Sequence, residues 1–315
     1  MSHPDPWSAG KPEGAVWFDP PPRATRIPGP PQKPAAPPVA VAIDGKEIRV
    51  PAGSTLLDAC RAAGIDTPTL CFGPTLTPVN ACRVCVVELE GARTLVPACS
   101  RVAEPGMKVR TDSDRVRTSR KVVCELLASS VDLSIAPGMA AAAARYGAQP
   151  GRFGPDAATT TQPVTVDNDC YVRDYAKCVL CYKCVEACGT DAQHTFAIAV
   201  AGRGFEAHIS TEWARPLTDS ACVYCGNCIA VCPTGALMGT VEHDLRAAGT
   251  WDESRQTTTD TICPYCGVGC ALSLTVQDGK IVKAASPADA DITRGNLCIK
   301  GRFGWGYVAG GPSSG

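Results

Sequence analysis

Sixteen of the nineteen cysteines in this chain of 315 residues fall into four groups of four. Cys71, Cys82, Cys85 and Cys99 are spaced C-x10-C-x2-C-x13-C. Cys178, Cys181, Cys184 and Cys188 read C-x2-C-x2-C-x3-C. Cys222, Cys225, Cys228 and Cys232 repeat that run, with Pro233 after it. Cys263, Cys266, Cys270 and Cys298 form a fourth group, C-x2-C-x3-C-x27-C. Four thiolates are the ligand set of an iron–sulfur cluster, and two-residue gaps let neighbouring cysteines grip one cluster. In tandem runs of the middle kind, the fourth cysteine of each run ligates the other cluster. The spacing therefore predicts one [4Fe–4S] site from Cys178, Cys181, Cys184 and Cys232, and a second from Cys222, Cys225, Cys228 and Cys188. The chemistry is one-electron transfer.

Bulk composition is consistent with that role. The formal net charge is −1, which gives no electrostatic case for nucleic acid or an anionic membrane as partner. No apolar run approaches the roughly 20 residues that span a bilayer, and the first residues carry no export pattern. Short cysteine gaps suit metal sites rather than long-range disulfides, so a cytoplasmic protein is expected.

The elements that must position these cysteines can be read from turns and periodicity. Residues 1–38 are proline-rich, with Pro20-Pro21-Pro22 and Pro30-Pro31, and are expected to be a disordered tail. Val39–Ile43 and Glu47–Val50 flank Asp44-Gly45, a hairpin signal. Ser54 is read as the cap of a helix through Ala63, ended by Gly64. Val84–Leu89 and Ala92–Pro97 flank Glu90-Gly91, Lys108–Thr111 reads as a closing strand, and residues 113–130 are helical. Residues 39–130 thus form one domain. Residues 131–165 read as a linker with a short helix near Met139–Tyr146. Residues 166–245 hold the repeated runs. Residues 246–260 read as a polar connection. The last module, residues 258–308, contains a hairpin from Ala271–Val276 and Lys280–Ala284 about Asp278-Gly279, and residues 309–315 form a tail.

Three cysteines remain. Cys60 and Cys124 fall in helical apolar patterns and are expected to pack as small hydrophobes. Cys170 has no partner pattern. The histidines His3, His194, His208 and His243 show no ligand spacing.

These motifs resemble a known family. The first group, with Ser54-Thr55-Leu56-Leu57-Asp58-Ala59 and Pro68-Thr69-Leu70-Cys71, is similar to the [2Fe–2S] domain that opens the large iron–sulfur subunit of complex I, NAD-linked formate dehydrogenases and iron-only hydrogenases. The fourth group, with Lys300-Gly301-Arg302-Phe303-Gly304-Trp305, looks like the N-terminal [4Fe–4S] module of molybdopterin oxidoreductases, formate dehydrogenase α subunits in particular. Residues 39 to about 308 resemble the iron–sulfur half of a cytoplasmic NAD-linked formate dehydrogenase α subunit. The resemblance implies an α+β chain: a β-grasp [2Fe–2S] ferredoxin domain, a bacterial-type 2[4Fe–4S] ferredoxin domain and a small [4Fe–4S] hairpin module. It implies one [2Fe–2S] and three [4Fe–4S] clusters. It also implies that Lys300 lies between the last cluster and a pterin.

The chain departs from that family twice. The family carries a further cluster with one histidine and three cysteines. Here Glu125-Leu126-Leu127-Ala128-Ser129-Ser130-Val131-Asp132 aligns with its segment, but a serine stands at the histidine and Leu133–Met139 lacks the cysteines, so that cluster is expected to be lost. The family's catalytic domains would begin near residue 309, where this chain ends, and no catalytic residue is assigned. Two explanations compete: a truncated chain whose Ser/Gly end is a cloning scar and, the favoured expectation, a split enzyme. The latter is an electron-transfer subunit between a molybdenum or tungsten bis-pterin catalytic subunit and a flavin/NAD-reducing iron–sulfur subunit, with formate oxidised on the former. The alternatives are the matching subunit of a complex I-like or hydrogenase NAD-linked complex, and a free-standing multi-cluster ferredoxin.

Overall fold

The computed structural model describes residues 37–309. The proline-rich segment with His3 and the last six residues lie outside the described region.

The first sheet grows from two tight turns. Asp44 (φ 50°) and Gly45 (φ 82°) both occupy the left-handed region, the geometry of a two-residue hairpin turn, and join β1 (Val39–Ile43) to β2 (Lys46–Val50). The Asp44 carboxylate accepts from the Thr111 amide at 2.7 Å and the Thr111 hydroxyl at 2.6 Å. That clasp brings β5 (Lys108–Arg110) to the parallel side of β1. A parallel pair needs a long crossover. Within it lies α1 (Leu56–Ala62), whose Leu56, Leu57, Ala59 and Cys60 are fully buried against Val41, Ile43, Ile48 and Val50. The cap is Thr55 rather than Ser54: Thr55 and Asp58 form a reciprocal capping box, for which Ser54 is one residue out of register. Strands β3 (Val86–Leu89) and β4 (Val96–Pro97) complete the order β2-β1-β5-β3-β4. The Glu90-Gly91 hairpin is shorter than its flanks suggest: β3 pairs with β4 only at Val86 and Val87, and on its other edge with β5 at Glu88 and Leu89.

Helix α2 (Asp114–Ser130), capped by Ser113, packs on α3 (Pro137–Tyr146). Cys124, Ala136, Met139 and Ala142 bury themselves with Leu70 and Val84. The segment between them is tied down: the Asp132 amide donates to Ala176 O at 2.9 Å, and its carboxylate pairs with Lys177 at 2.9 Å.

The repeated runs lie between β6 (Tyr171–Arg173) and β9 (Leu237–Gly239), which pair antiparallel. Each run leads into a short helix, α4 (Lys183–Cys188) and α5 (Asn227–Val231), and the two helices pack on each other. Between the runs, β7 (Ala199–Ala201) and β8 (His208–Ser210) form a separate ribbon. Helix α6 (Thr240–Ala247) follows.

The last sheet is β10 (Gln256–Ile262), β11 (Ala271–Gln277) and β12 (Lys280–Ala285) in sequence order. Residues 256–260 are therefore strand, not connection. β10 pairs along its whole length with β11, but as an edge strand exposed on both faces it needs no apolar alternation. Helix α7 (Ile299–Phe303) lies against β12.

Candidate iron–sulfur sites

The chelating loops carry unusual backbone. Arg83, Leu180, Tyr182, Tyr224 and Gly226 have φ between 50° and 68°. Non-glycine residues rarely adopt this region, and such strain gathers at functional sites. The bend aims backbone amides at sulfur. Val84 N–H is directed at Cys82, Leu180 at Cys178, Lys183 at Cys181 and Asn227 at Cys225. Tyr224 N–H reaches Cys222 Sγ at 3.4 Å. Such donors stabilise thiolate and raise the potential of a bound cluster.

The first quartet is gathered from separate elements. Cys71 and Cys82 exchange amide-to-sulfur contacts of 3.5 Å in both directions. Thiol contacts also link Cys71 to Cys99 and Cys85 to Cys99. Hydrogen bonds from Cys82 and Cys99 pull the Cys71 thiol well below its ordinary value, and sharing the proton with Cys71 pushes Cys82 up.

The cysteines of the repeated runs line two cavities. Cys178, Cys181, Cys184 and Cys232 line one cavity, and Cys188, Cys222, Cys225 and Cys228 another. Burial pushes Cys178 up to about 12 and Cys181 to about 11, with repulsion from Cys232 adding to both. Cys228 rises likewise by burial, then by Cys225, Cys188 and Cys222. Closely spaced thiols in a dry pocket cannot all ionise without a compensating positive charge, which ferric and ferrous iron provide. Tyr171 Oη lies 3.2 Å from Cys222 Sγ, and Thr195 Oγ1 lies 3.4 Å from Cys188 Sγ.

Cys263, Cys266 and Cys298 surround Cys270, and their repulsion adds to burial in raising its thiol. Cys263 N–H donates to Cys270 O at 2.8 Å. Cys266 and Cys298 are exposed, as are Val268, Ile299 and Lys300. Among the described residues, no three His, Cys, Asp or Glu side chains converge closely enough to hold a single metal ion. An iron–sulfur cluster distributes its four thiolates over more than one iron. All four donor sets are thiol-only and fit such clusters.

The sites stand in series. Cys71 repels charge on Cys181, and Val179 packs in the same apolar cluster as Cys82. Cys184 and Cys232 lie within reach of Cys228. The guanidinium of Arg302, one turn beyond Cys298, lies within reach of Cys228 and Cys225. Cys60 and Cys124 are buried in apolar clusters, while Cys170 is half-buried with Cys222 nearby. Sequence reasoning missed Asn227 and Arg302. Both are polar side chains buried between the second run and the last module, and neither has a spacing signal of its own.

Comparison with known proteins agrees module by module. Residues 36–114 match the 2Fe-2S iron-sulfur cluster binding domain, residues 177–236 the 4Fe-4S dicluster domain, and residues 256–310 the molybdopterin oxidoreductase Fe4S4 domain. The chain is 34% identical over 285 residues to the NADPH-Fe(3+) oxidoreductase subunit alpha of Geobacter sulfurreducens, covering 86% of this chain and 31% of that protein. It is 32% identical over 277 residues to an NADH-quinone oxidoreductase subunit of Rhizobium meliloti, again covering 86% and 31%. It thus spans about a third of the length of these relatives. A chain of the NAD+-reducing [NiFe]-hydrogenase superposes with a TM-score of 0.56 at 27% identity, covering 64% of this chain and 87% of that one. No described helix is long and apolar enough to cross a membrane. The chain is an α+β iron–sulfur protein made of a 2Fe-2S ferredoxin domain, a 4Fe-4S dicluster domain and the Fe4S4 module of molybdopterin oxidoreductases.

Proposed function

We propose that this chain is a cytoplasmic electron-transfer subunit of an NAD(P)-linked oxidoreductase complex of formate dehydrogenase type. It would connect a molybdenum or tungsten bis-pterin site on a partner chain to a flavin/NAD-reducing iron–sulfur partner. The observation that carries the proposal is that the elements holding the four quartets pack in succession: Cys82 shares an apolar cluster with Val179, α4 packs on α5, and Arg302, on the helix that follows Cys298, donates to Cys225 O at 3.5 Å.

In this reading Cys71, Cys82, Cys85 and Cys99 hold a [2Fe–2S] cluster. The sets Cys178/Cys181/Cys184/Cys232, Cys188/Cys222/Cys225/Cys228 and Cys263/Cys266/Cys270/Cys298 each hold a [4Fe–4S]. Bound clusters supply one-electron carriers, and the protein sets spacing and potential. Buried Leu70, Val84 and Met139 keep water from the gap between the first two sites. Tyr171 and the chelating-loop amides donate toward sulfur. Lys300 is exposed beside Cys298, as are Val268 and Ile299, and in this reading they would meet the pterin-bearing partner. The formate assignment rests on the resemblance of Lys300–Trp305 to formate dehydrogenase α subunits. Likeness to NADH-quinone oxidoreductase and hydrogenase subunits supports a second reading, the equivalent subunit of a complex I-like or hydrogenase assembly.

The test is anaerobic isolation of the native complex through this chain, followed by visible absorbance. Prompt bleaching on adding formate is expected. Bleaching with NADH but not formate would transfer the chain to the second reading, and bleaching with neither would refute both.

A further inference from the structure

Arg302 is 5% exposed. Its guanidinium donates to Cys225 O at 3.5 Å, Ala284 O at 3.3 Å and Asn227 Oδ1 at 3.2 Å. All are neutral acceptors, and among the described residues no carboxylate pairs with it. A buried, unpaired charge costs several kcal/mol, so a protein keeps one where a counter-charge is present. Burial lowers Arg302 from the usual arginine value, and the thiolates of Cys228 and Cys225 act against that. Arginine stays protonated in proteins. Its aliphatic stem lies over Gly226, where an added Cβ would sit 2.9 Å from Arg302 Cγ, so the loop between two ligands of the second run is shaped around this side chain. Next to it Phe303 stacks on Tyr171 at 6.1 Å, and Tyr171 reaches Cys222. The helix bearing Arg302 begins at Cys298, a ligand candidate of the neighbouring site.

We propose that Arg302 is a positioning residue that holds a fixed positive charge against the Cys188/Cys222/Cys225/Cys228 site and raises the reduction potential of the [4Fe–4S] cluster bound there. The inference rests on the ligand assignment above. The reduced cluster carries one more negative charge than the oxidised one, so a nearby cation in a low-dielectric pocket stabilises the reduced state. The last module thus biases its neighbour toward accepting electrons.

The experiment is an EPR-monitored redox titration of the intact complex. The signal of this site is identified by its loss in Cys225→Ser. Arg302→Gln should move that one midpoint to lower potential and leave the other signals in place, and Arg302→Lys should restore most of the shift. Asn227→Asp, which sets a carboxylate 3.2 Å from the guanidinium, should also lower it, and tests the idea should Arg302→Gln not fold. Unmoved midpoints in both the Gln and Asp variants, or an equal shift in Gln and Lys, would overturn the proposal. A wild-type signal indifferent to Cys225→Ser would instead overturn the ligand assignment.

Discussion

Asn227 is 2% exposed, and its Oδ1 accepts from Leu297 N–H at 2.9 Å and from the Arg302 guanidinium at 3.2 Å. One atom of the second run therefore holds both ends of the segment that carries Cys298. Asn227→Ala removes that acceptor without adding bulk. It orphans a buried neutral donor, about 1–2 kcal/mol, and one donor of a charged group, about 1.5–3 kcal/mol. A combined loss of about 3 kcal/mol corresponds to roughly a hundredfold rise in local opening, at about 1.4 kcal/mol per factor of ten. Hydrogen exchange of the Arg302 and Gly304 amides reads this directly, because both are bonded within α7, to Cys298 O at 3.0 Å and Lys300 O at 2.8 Å. The amides of β1 and β2 serve as the internal control. A rise below about threefold at α7, with iron per chain unchanged, would refute the reasoning and show that the segment is held elsewhere, for example by the Lys283–Glu242 pair.

Other outcomes follow from the same structure. Cys232→Ser should abolish the EPR signal of the site shared with Cys178, Cys181 and Cys184, and Cys188→Ser that of the other site; loss according to sequence neighbourhood would refute the crossed pairing. Leu57→Ala, at a site 0% exposed, should cost about 2–5 kcal/mol in denaturant unfolding. Gly226→Ala forces a side chain into φ 68° and against Arg302 and Phe303; the yield of iron-loaded protein should fall, and normal loading would contradict the contact. Burial alone would raise the Asp132 carboxyl, but hydrogen bonds from Lys177 and Ser134 outweigh it and hold it at about 2. A depressed carboxylate stabilises above its unfolded value, so this tie is complete at pH 7 and fades only as pH falls from about 4 toward 2. Asp132→Asn should therefore cost up to about 1 kcal/mol at pH 7, less in high salt; a salt-independent deficit in urea unfolding would contradict the ion pair.

The x2 and x3 cysteine runs were legible because their spacing is local; Cys71, Cys99 and Cys298, 10 to 27 residues from their neighbours, were assigned through the family resemblance instead. The turns Asp44-Gly45 and Asp278-Gly279 were legible because they too are local. Pairings between distant short strands were not, since three residues of β6 and three of β9 carry no period and meet only after the runs between them have folded. Strand β10 was hidden by its own exposure. Arg83, Leu180, Tyr182 and Tyr224 give no hint of a left-handed backbone, because the bend is imposed by the loop and not by residue type. Arg302 stood in the sequence only as part of the family-like phrase Lys300–Trp305; the position of α7 shows that it is buried.

Solvent access differs most between the first and last quartets. Cys71, Cys85 and Cys99 are 1–2% exposed and Cys82 is half-buried, whereas in the last quartet Cys263 is buried and Cys270 half-buried but Cys266 and Cys298 stand open. Dioxygen and chelators reach thiolate-bound iron by the same route as water, so the polypeptide weathers from one end. An aerobically handled sample should therefore lose the Cys298 site before the Cys71 site, with colour fading in steps. Iron counts on such material report its history as much as its design, and a preparation that looks like a shorter carrier is one that has met air.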